Sequence, residues 1–216
     1  MKKSIVLATA VASILTSGIA AADLSANAGV FSNYIWRGVS QTGDEAAGQG
    51  GIDWGNDSGL YAGTWVSTLG GGLGYEMDVY AGIAGEAGKI GYDLGVITYQ
   101  YPVNTNLNFT ELYASGSIAG FTAGLALTVD KSGAAGNDTD DIYIHGSYDF
   151  SAKDIDYSVY LGDYSFDDAA NDDYTHFGAS LGKDGFTFAV DKNDLDGGGN
   201  ADAVRFTVSY SVDFEL

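Results

Sequence analysis

Val204-Arg205-Phe206-Thr207-Val208-Ser209-Tyr210-Ser211-Val212-Asp213-Phe214-Glu215-Leu216 puts an apolar residue at each even position and a polar one at each odd position. A period of two sends successive side chains to opposite faces of a strand, so this run has one apolar face and one polar face. Strands of soluble sandwiches usually stop at about five or six residues. Crossing lipid takes about nine to eleven. The C-terminal run has the membrane length.

The same pattern recurs upstream. Ile142, Ile144, Tyr148 and Phe150 alternate with Asp141, Tyr143, His145, Ser147 and Asp149. Ile155, Tyr157, Val159 and Leu161 alternate with Asp154, Asp156, Ser158 and Tyr160; Phe121 to Asp130 and Tyr75 to Ile83 behave alike. Two stretches are less clean. Ile97 and Tyr99 fall on the face that should be polar, and Tyr61 to Ser67 declares no face. The reading is an all-β, antiparallel, up-and-down transmembrane β-barrel of about twelve strands, an even number as in single-chain bacterial barrels. Expected strand centres lie near Val30, Ile52, Gly63, Val79, Leu94, Ala114, Leu125, Ile144, Val159, Gly178, Phe188 and Ser209.

Loop lengths support that count independently. Short connections at Asn56–Gly59, Glu86–Gly88, Ala119-Gly120, Ser151–Lys153 and Lys183–Gly185 alternate with longer ones at Arg37–Gly48, Ser67–Gly74, Tyr101–Asn108, Lys131–Thr139, Tyr164–Asp172 and Asn193–Ala201. Short periplasmic turns and longer extracellular loops, with both termini in the periplasm, are the asymmetry of outer-membrane barrels. Aromatic residues near strand ends fit an interfacial girdle: Tyr34 and Trp36 after the first strand, Trp54 on the second, Tyr148 and Phe150 on the eighth. High β-propensity of aromatics is the plainer explanation for part of this clustering.

The N-terminus reads differently. Lys2 and Lys3 precede an apolar stretch from Ile5 to Leu15, and Ala20-Ala21-Ala22 leads into Asp23. That is the layout of a secretory signal peptide over residues 1–22, cleaved after Ala22 or Ala21, with the barrel over 23–216; the competing reading is a retained N-terminal anchor. The chain has no cysteine, which removes disulfides, thiolate metal sites and cysteine nucleophiles together. Its formal charge is −20, and loss of Lys2 and Lys3 would make the mature part more acidic still. Nucleic acid is disfavoured as a partner by that sign.

Ser32-Asn33-Tyr34-Ile35-Trp36-Arg37-Gly38-Val39-Ser40-Gln41-Thr42 resembles the opening signature of the TorF family of porins. Gly51–Thr68, Tyr75–Pro102 and Glu111-Leu112-Tyr113 resemble the same family, so the likeness is dense over roughly residues 24–118 and rests on strand pattern alone beyond. The resemblance implies an outer-membrane barrel and a channel, without a defined substrate. Barrels of this kind commonly end in an aromatic residue on the lipid-facing register; here Leu216 stands last, after Phe214.

Charged residues on polar faces are the candidate pore-lining and constriction residues. Arg37, at the outer end of the first strand, and Arg205, at the outer end of the last, are expected on adjoining strands at similar depth, facing Glu76, Asp78 and Glu111 across the lumen. Such opposed walls would set up a transverse field that selects ions. The competing reading is a salt-bridged lumen that holds the barrel shut, because about twelve strands leave only a narrow passage. Asp53 and Asp93, with Asp141, Asp149, Asp156 and Asp213, also fall on polar faces, so any pore is expected to prefer cations.

No chemistry beyond transport stands out. His145 and Ser147 invite the thought of a serine hydrolase, but such a site needs a base and an orienting third group placed at the lipid-facing side, and these residues point inward. Two scattered histidines make no metal site, and the triple glycines at Gly70–Gly72 and Gly197–Gly199 open no helix that would cradle phosphate. Aspartates crowd the later loops, as at Asp167-Asp168 and Asp172-Asp173, yet none has the spacing of a calcium-binding EF-hand loop, and solvated charge is the simpler reading. No cofactor is expected. Expected partners are outer-membrane lipid and lipopolysaccharide, periplasmic chaperones and the barrel-assembly machinery, and small solutes or ions. The leading function is passive diffusion of small hydrophilic solutes through the barrel; the alternative is a non-conducting structural or adhesive barrel with acidic extracellular loops.

Overall fold

A computed structural model describes residues 23–133, 140–196 and 200–216. The expected signal peptide, Asp138 of the aspartate-crowded later loops and the second glycine triplet lie outside the described residues. The wall is built from β1 (Asp23–Phe31), β4 (Ala47–Gly55), β5 (Leu60–Thr68), β6 (Tyr75–Ala87), β7 (Ile90–Gln100) and β8 (Phe109–Ile118). It continues with β9 (Phe121–Lys131), β10 (Ile142–Ala152), β11 (Ile155–Ser165), β12 (Tyr174–Lys183), β13 (Phe186–Asn193) and β14 (Arg205–Glu215). Two short strands, β2 (Ile35–Trp36) and β3 (Val39–Ser40), pair only with each other inside the first long loop.

Every wall strand runs antiparallel to its neighbours, and β1 pairs with both β4 and β14. Twelve strands therefore close into a barrel with no free edge. Closure matters in lipid, where no water is present to satisfy an unpaired backbone group. All twelve expected centres fall inside wall strands.

Tight turns gather at one end. Ala119-Gly120, Lys153-Asp154 and Asp184-Gly185 all take positive φ at both residues, the primed turn geometry that matches the twist of a two-residue hairpin. The outer face carries the expected stripe of exposed apolar groups, among them Val30, Val79, Leu125, Leu161, Phe177 and Phe206. The sheet is inverted relative to a soluble protein: its core lies inside. Tyr61, Tyr80, Ile97 and Tyr99 form a buried cluster in the lumen, flanked by Trp36, Trp65, Phe109 and Tyr113. Ile97 and Tyr99 are thus on the lumenal face that their period assigns; they are apolar because that part of the lumen is packed. Tyr61, Gly63, Trp65 and Ser67 share that lumenal face for the same reason.

Candidate functional site

The first long loop decides the character of the lumen. After Phe31 the chain leaves the wall, and the β2–β3 hairpin packs against lumenal side chains instead of standing above the rim. Arg37 and Gly38 form its turn with φ of 47° and 79°, a primed turn like those at the opposite end of the barrel. Its base is tied by short hydrogen bonds. Ser40 and Thr42 each donate a hydroxyl to Asn33 Oδ1 at 2.7 Å, while Asn33 Nδ2 donates to Asp44 at 2.8 Å. A β-carbon on Gly70 would lie 2.1 Å from the Thr42 carbonyl oxygen, so the loop between β5 and β6 meets the hairpin base there at glycine distance.

From that base the hairpin spans the lumen. On one side the Tyr34 hydroxyl donates to Glu76 at 2.8 Å, and its ring meets Trp65 edge-on at 5.3 Å. Trp36 packs edge-on against Tyr99, Phe109 and Tyr164, at centroid distances of 5.7, 6.1 and 5.9 Å. Arg37 grips Glu111 with two parallel N–H···O bonds of 2.8 and 2.7 Å, and its guanidinium lies 4.0 Å over the Tyr143 ring and 4.8 Å over Tyr164. On the far side Asn193 Nδ2 donates to the Gly38 carbonyl at 2.7 Å, and Gly38 rests on His176 so closely that a β-carbon would lie 2.4 Å from it.

Electrostatics hold the hairpin in one protonation state. Burial, reinforced by Glu76 and Asp78, pushes the Tyr34 hydroxyl well above its ordinary pKa, so it stays a donor. Burial works against the Arg37 charge most strongly, but the Glu111 carboxylate and its hydrogen bonds, with Tyr99 and Tyr164, together raise the guanidinium pKa. A bidentate, charge-assisted pair of this kind fixes orientation as well as energy. A register shift between Thr110 and Glu111 leaves Val129 of β9 without a partner. A bulge bends the strand that carries the extra residue and breaks the ladder locally, here in β9 directly opposite Glu111.

Beside the hairpin the lumen remains a cavity, bounded by Trp36 and Arg37 on one side and by Asp93, Tyr113, His145 and Tyr160 among the wall residues. Its wall shows one repeated device: a flat ring laid over a glycine of the neighbouring strand. Tyr113 covers Gly95, His145 covers Gly124 and Tyr160 covers Gly178, where a β-carbon would fall within 2.4 Å of the ring. The Tyr160 hydroxyl donates to Asp191 at 2.7 Å, and Tyr61 donates to Asp93 at 2.6 Å.

The expected site residues distribute unevenly. Glu76, Asp78 and Glu111 are buried together where the hairpin meets β6 and β8. Asp53 accepts the Tyr80 hydroxyl, and Asp93 borders the cavity. The placement of Arg37 is corrected: it belongs to the hairpin turn, not to the end of the first wall strand, because β1 stops at Phe31. Arg205 does stand at the outer start of β14, next to β1, but it does not face Arg37. It is spent on Asp44 at 2.7 Å and on the carbonyls of Asn200, Ala201 and Ala203 at the rim. Tyr34 and Trp36 likewise leave the girdle for the lumen, whereas Trp54 and Phe150 stay on the outer face. Ser147 donates to Asp149 at 3.0 Å and His145 stacks on Tyr143, so the two form no nucleophile–base pair with each other.

Sequence reasoning missed Asn193 and His176, the far-side contacts of the hairpin. Nothing in their own neighbourhoods announces them; the signal available was the Arg37-Gly38 turn dipeptide between Ile35-Trp36 and Val39, combined with apolar Ile97 and Tyr99 on a polar face.

Comparison with known proteins agrees with this architecture. The KdgM porin superposes with a TM-score of 0.57 at 10% identity, over 89% of this chain and 99% of that one. The NanC porin gives 0.53 at 14% identity, over 89% of this chain and 100% of that one. KdgM in complex with disordered oligogalacturonate gives 0.52 at 10% identity, over 90% and 99%. At such identities the likeness establishes the fold. No curated protein matches the chain in sequence. A family model described as "Bacterial protein of unknown function (Gcw_chp)" matches residues 16–214, and the chain belongs to that family.

Proposed function

We propose that this chain is an outer-membrane channel for passive diffusion of small hydrophilic solutes or ions, exported by residues 1–22 and seated among outer-membrane lipid and lipopolysaccharide. The observation that carries the reading is the division of the lumen: the inward hairpin fills one part and leaves a cavity beside β7 to β13 that charged, polar and aromatic side chains line. A hairpin that narrows a barrel without filling it is a constriction, and constrictions are where charge and size select a solute. The porin fold and the resemblance to the TorF family both support it.

Cation preference follows from which charges are already spent. Arg37 is paired with Glu111, Lys131 with Asp141 and Arg205 with Asp44. Asp53, Asp93 and Asp149 instead hydrogen-bond to hydroxyls of Tyr80, Tyr61 and Ser147, which leave their negative charge uncancelled. Single-channel recording in a planar bilayer under a salt gradient tests both parts. Discrete current steps with a cation-selective reversal potential are expected. Neutralising Asp53, Asp93 and Asp149 should move that potential toward zero, and neutralising Glu76, Asp78 and Glu111 should do so too if those buried carboxylates contribute to the field.

The second reading, a non-conducting structural barrel, is favoured by one observation: the hairpin is anchored on both walls, at Glu76 and Glu111 and again at Asn193. A folded, heat-modifiable barrel that never conducts would decide for it.

A further inference from the structure

We infer that the lumenal cavity beside the hairpin is a binding site for a neutral saccharide, a conclusion that rests on the channel reading above and names its solute class. Three features of the wall carry it. The first is the set of flat rings. Tyr113, His145 and Tyr160 lie against Gly95, Gly124 and Gly178, closer than any β-carbon would allow, and all three border the cavity. The same device on β5 and β6, Tyr61 over Gly82 and Tyr80 over Gly63, is sealed within the buried cluster. Rings fixed flat against a wall with a free face are platforms for the C–H faces of a pyranose, with little ordering entropy left to lose on binding.

Polar groups at the rims of these platforms form the second feature. Registered pairs put Ser147 beside Tyr160, Asp149 beside Ser158, and His145 and His176 on either side of Gly162. Ser158 Oγ and His176 Nδ1 are buried and have no protein partner, and both residues border the cavity. His176 already uses Nε2 on the Tyr143 hydroxyl at 2.8 Å. Hydroxyls that donate and carboxylates that accept, interleaved along one wall, match a ligand whose own groups do both. A sugar hydroxyl is such a group; an organic cation only donates.

Charge is the third. An anionic sugar would need free bases, yet Arg37 is spent on Glu111 while Asp93, Asp149 and Asp191 border the same space. A cation could answer those carboxylates but not the hydroxyl donors set between them, Ser147 and Ser158. A neutral polyhydroxylated chain meets neither penalty, and pockets of this make-up, aromatic with a few placed polar groups, are the usual form of small-molecule sites.

The test uses the full mature barrel refolded in detergent, with maltohexaose, hexagalacturonate and spermine as neutral, anionic and cationic probes. Trp36 borders the cavity, so its emission reports occupancy without any need for conduction. Saturable change with maltohexaose alone is expected, and Tyr160→Ala should weaken it at least tenfold while the variant keeps its heat-modifiable mobility. Tyr160→Phe, which keeps the platform and loses the bond to Asp191, should weaken it less. In bilayers the same probe should produce brief, concentration-dependent current blocks. Binding without conduction would uphold the site and sink the channel; conduction without maltohexaose binding would overturn the site alone. Saturable binding of hexagalacturonate or spermine in place of the neutral sugar would also overturn it.

Discussion

The two sides of the lumen are built from the same wall and differ in what covers it. Along β5 to β8, Tyr61, Tyr80, Ile97 and Tyr99 are buried and pack as a hydrophobic core would, with Trp36 of the hairpin against them. Along β10 to β13 the same rings-over-glycine arrangement continues with Tyr160 and His145, but the rings border a cavity. Local pairing is alike on both sides, so what differs is the partner across the lumen. An ion pair makes the contrast sharper. Arg37 and Glu111 are almost wholly buried, with side chains 8% and 1% exposed, whereas the rim pair of Arg205 and Asp44 leaves Asp44 53% exposed.

Removing the hairpin breaks the comparison outright. Replacing Asn33–Thr42 with a short Gly-Ser linker should raise single-channel conductance by at least about threefold, because lumen width governs passage through a barrel this size. The closed wall does not depend on the hairpin, so heat-modifiable mobility should survive; unchanged conductance would mean the hairpin does not limit the pore.

Next in size is Arg37→Ala. It leaves the Glu111 carboxylate buried without its counter-charge, which costs about 3–5 kcal/mol. Urea unfolding in lipid vesicles measures this, and the hairpin should become open to protease. Arg37→Met with Glu111→Leu should recover much of the loss, as removing both charges avoids an uncompensated one. A double variant as weak as the single would show that the pair itself, not desolvation, carries the energy.

Glycine substitutions probe the shared device on each side. A β-carbon at Gly63 would lie 2.5 Å from the Tyr80 ring, and one at Gly178 would lie 2.4 Å from Tyr160. Tyr80 is enclosed, so Gly63→Ala should cost about 1–3 kcal/mol, the usual range for overpacking. Tyr160 has the cavity to swing into, so Gly178→Ala should cost less stability and disturb lumenal binding instead. Equal losses of stability would erase the distinction between the halves.

Smallest of all is Arg205→Met, which removes the exposed rim pair while leaving the Asn33–Asp44 bond at the hairpin base; it should change stability by no more than about 1 kcal/mol. A loss comparable to that of Arg37→Ala would mean the rim contact, not the buried one, holds the hairpin in place.

Most of the wall was legible because lipid and water sort side chains at every second position. Val204 to Leu216 announces its faces, and the expected centres from Val30 to Ser209 all lie on wall strands. Legibility faded where the lumen is packed. Tyr61, Trp65, Ile97 and Tyr99 break the polar-inside rule, since their surroundings are supplied by a loop distant along the chain. Glu111 could be placed on its face from period alone. Its bond to Arg37 could not, because a turn dipeptide such as Arg37-Gly38 carries no record of which way the hairpin points.

Sequence by itself therefore determined the barrel: the number and order of its wall strands, the lumenal and lipid faces of most of them, and the end that carries the long loops. These follow from local periodicity and from the rule that backbone groups in lipid must be paired. Only the tertiary structure decided that the first loop folds inward, that Arg37 and Arg205 have separate partners, and that one side of the lumen is filled while the other is free. Those outcomes depend on contacts between residues far apart in the chain, Arg37 with Glu111 and Gly38 with Asn193, whose energies exist only once the barrel has closed around them.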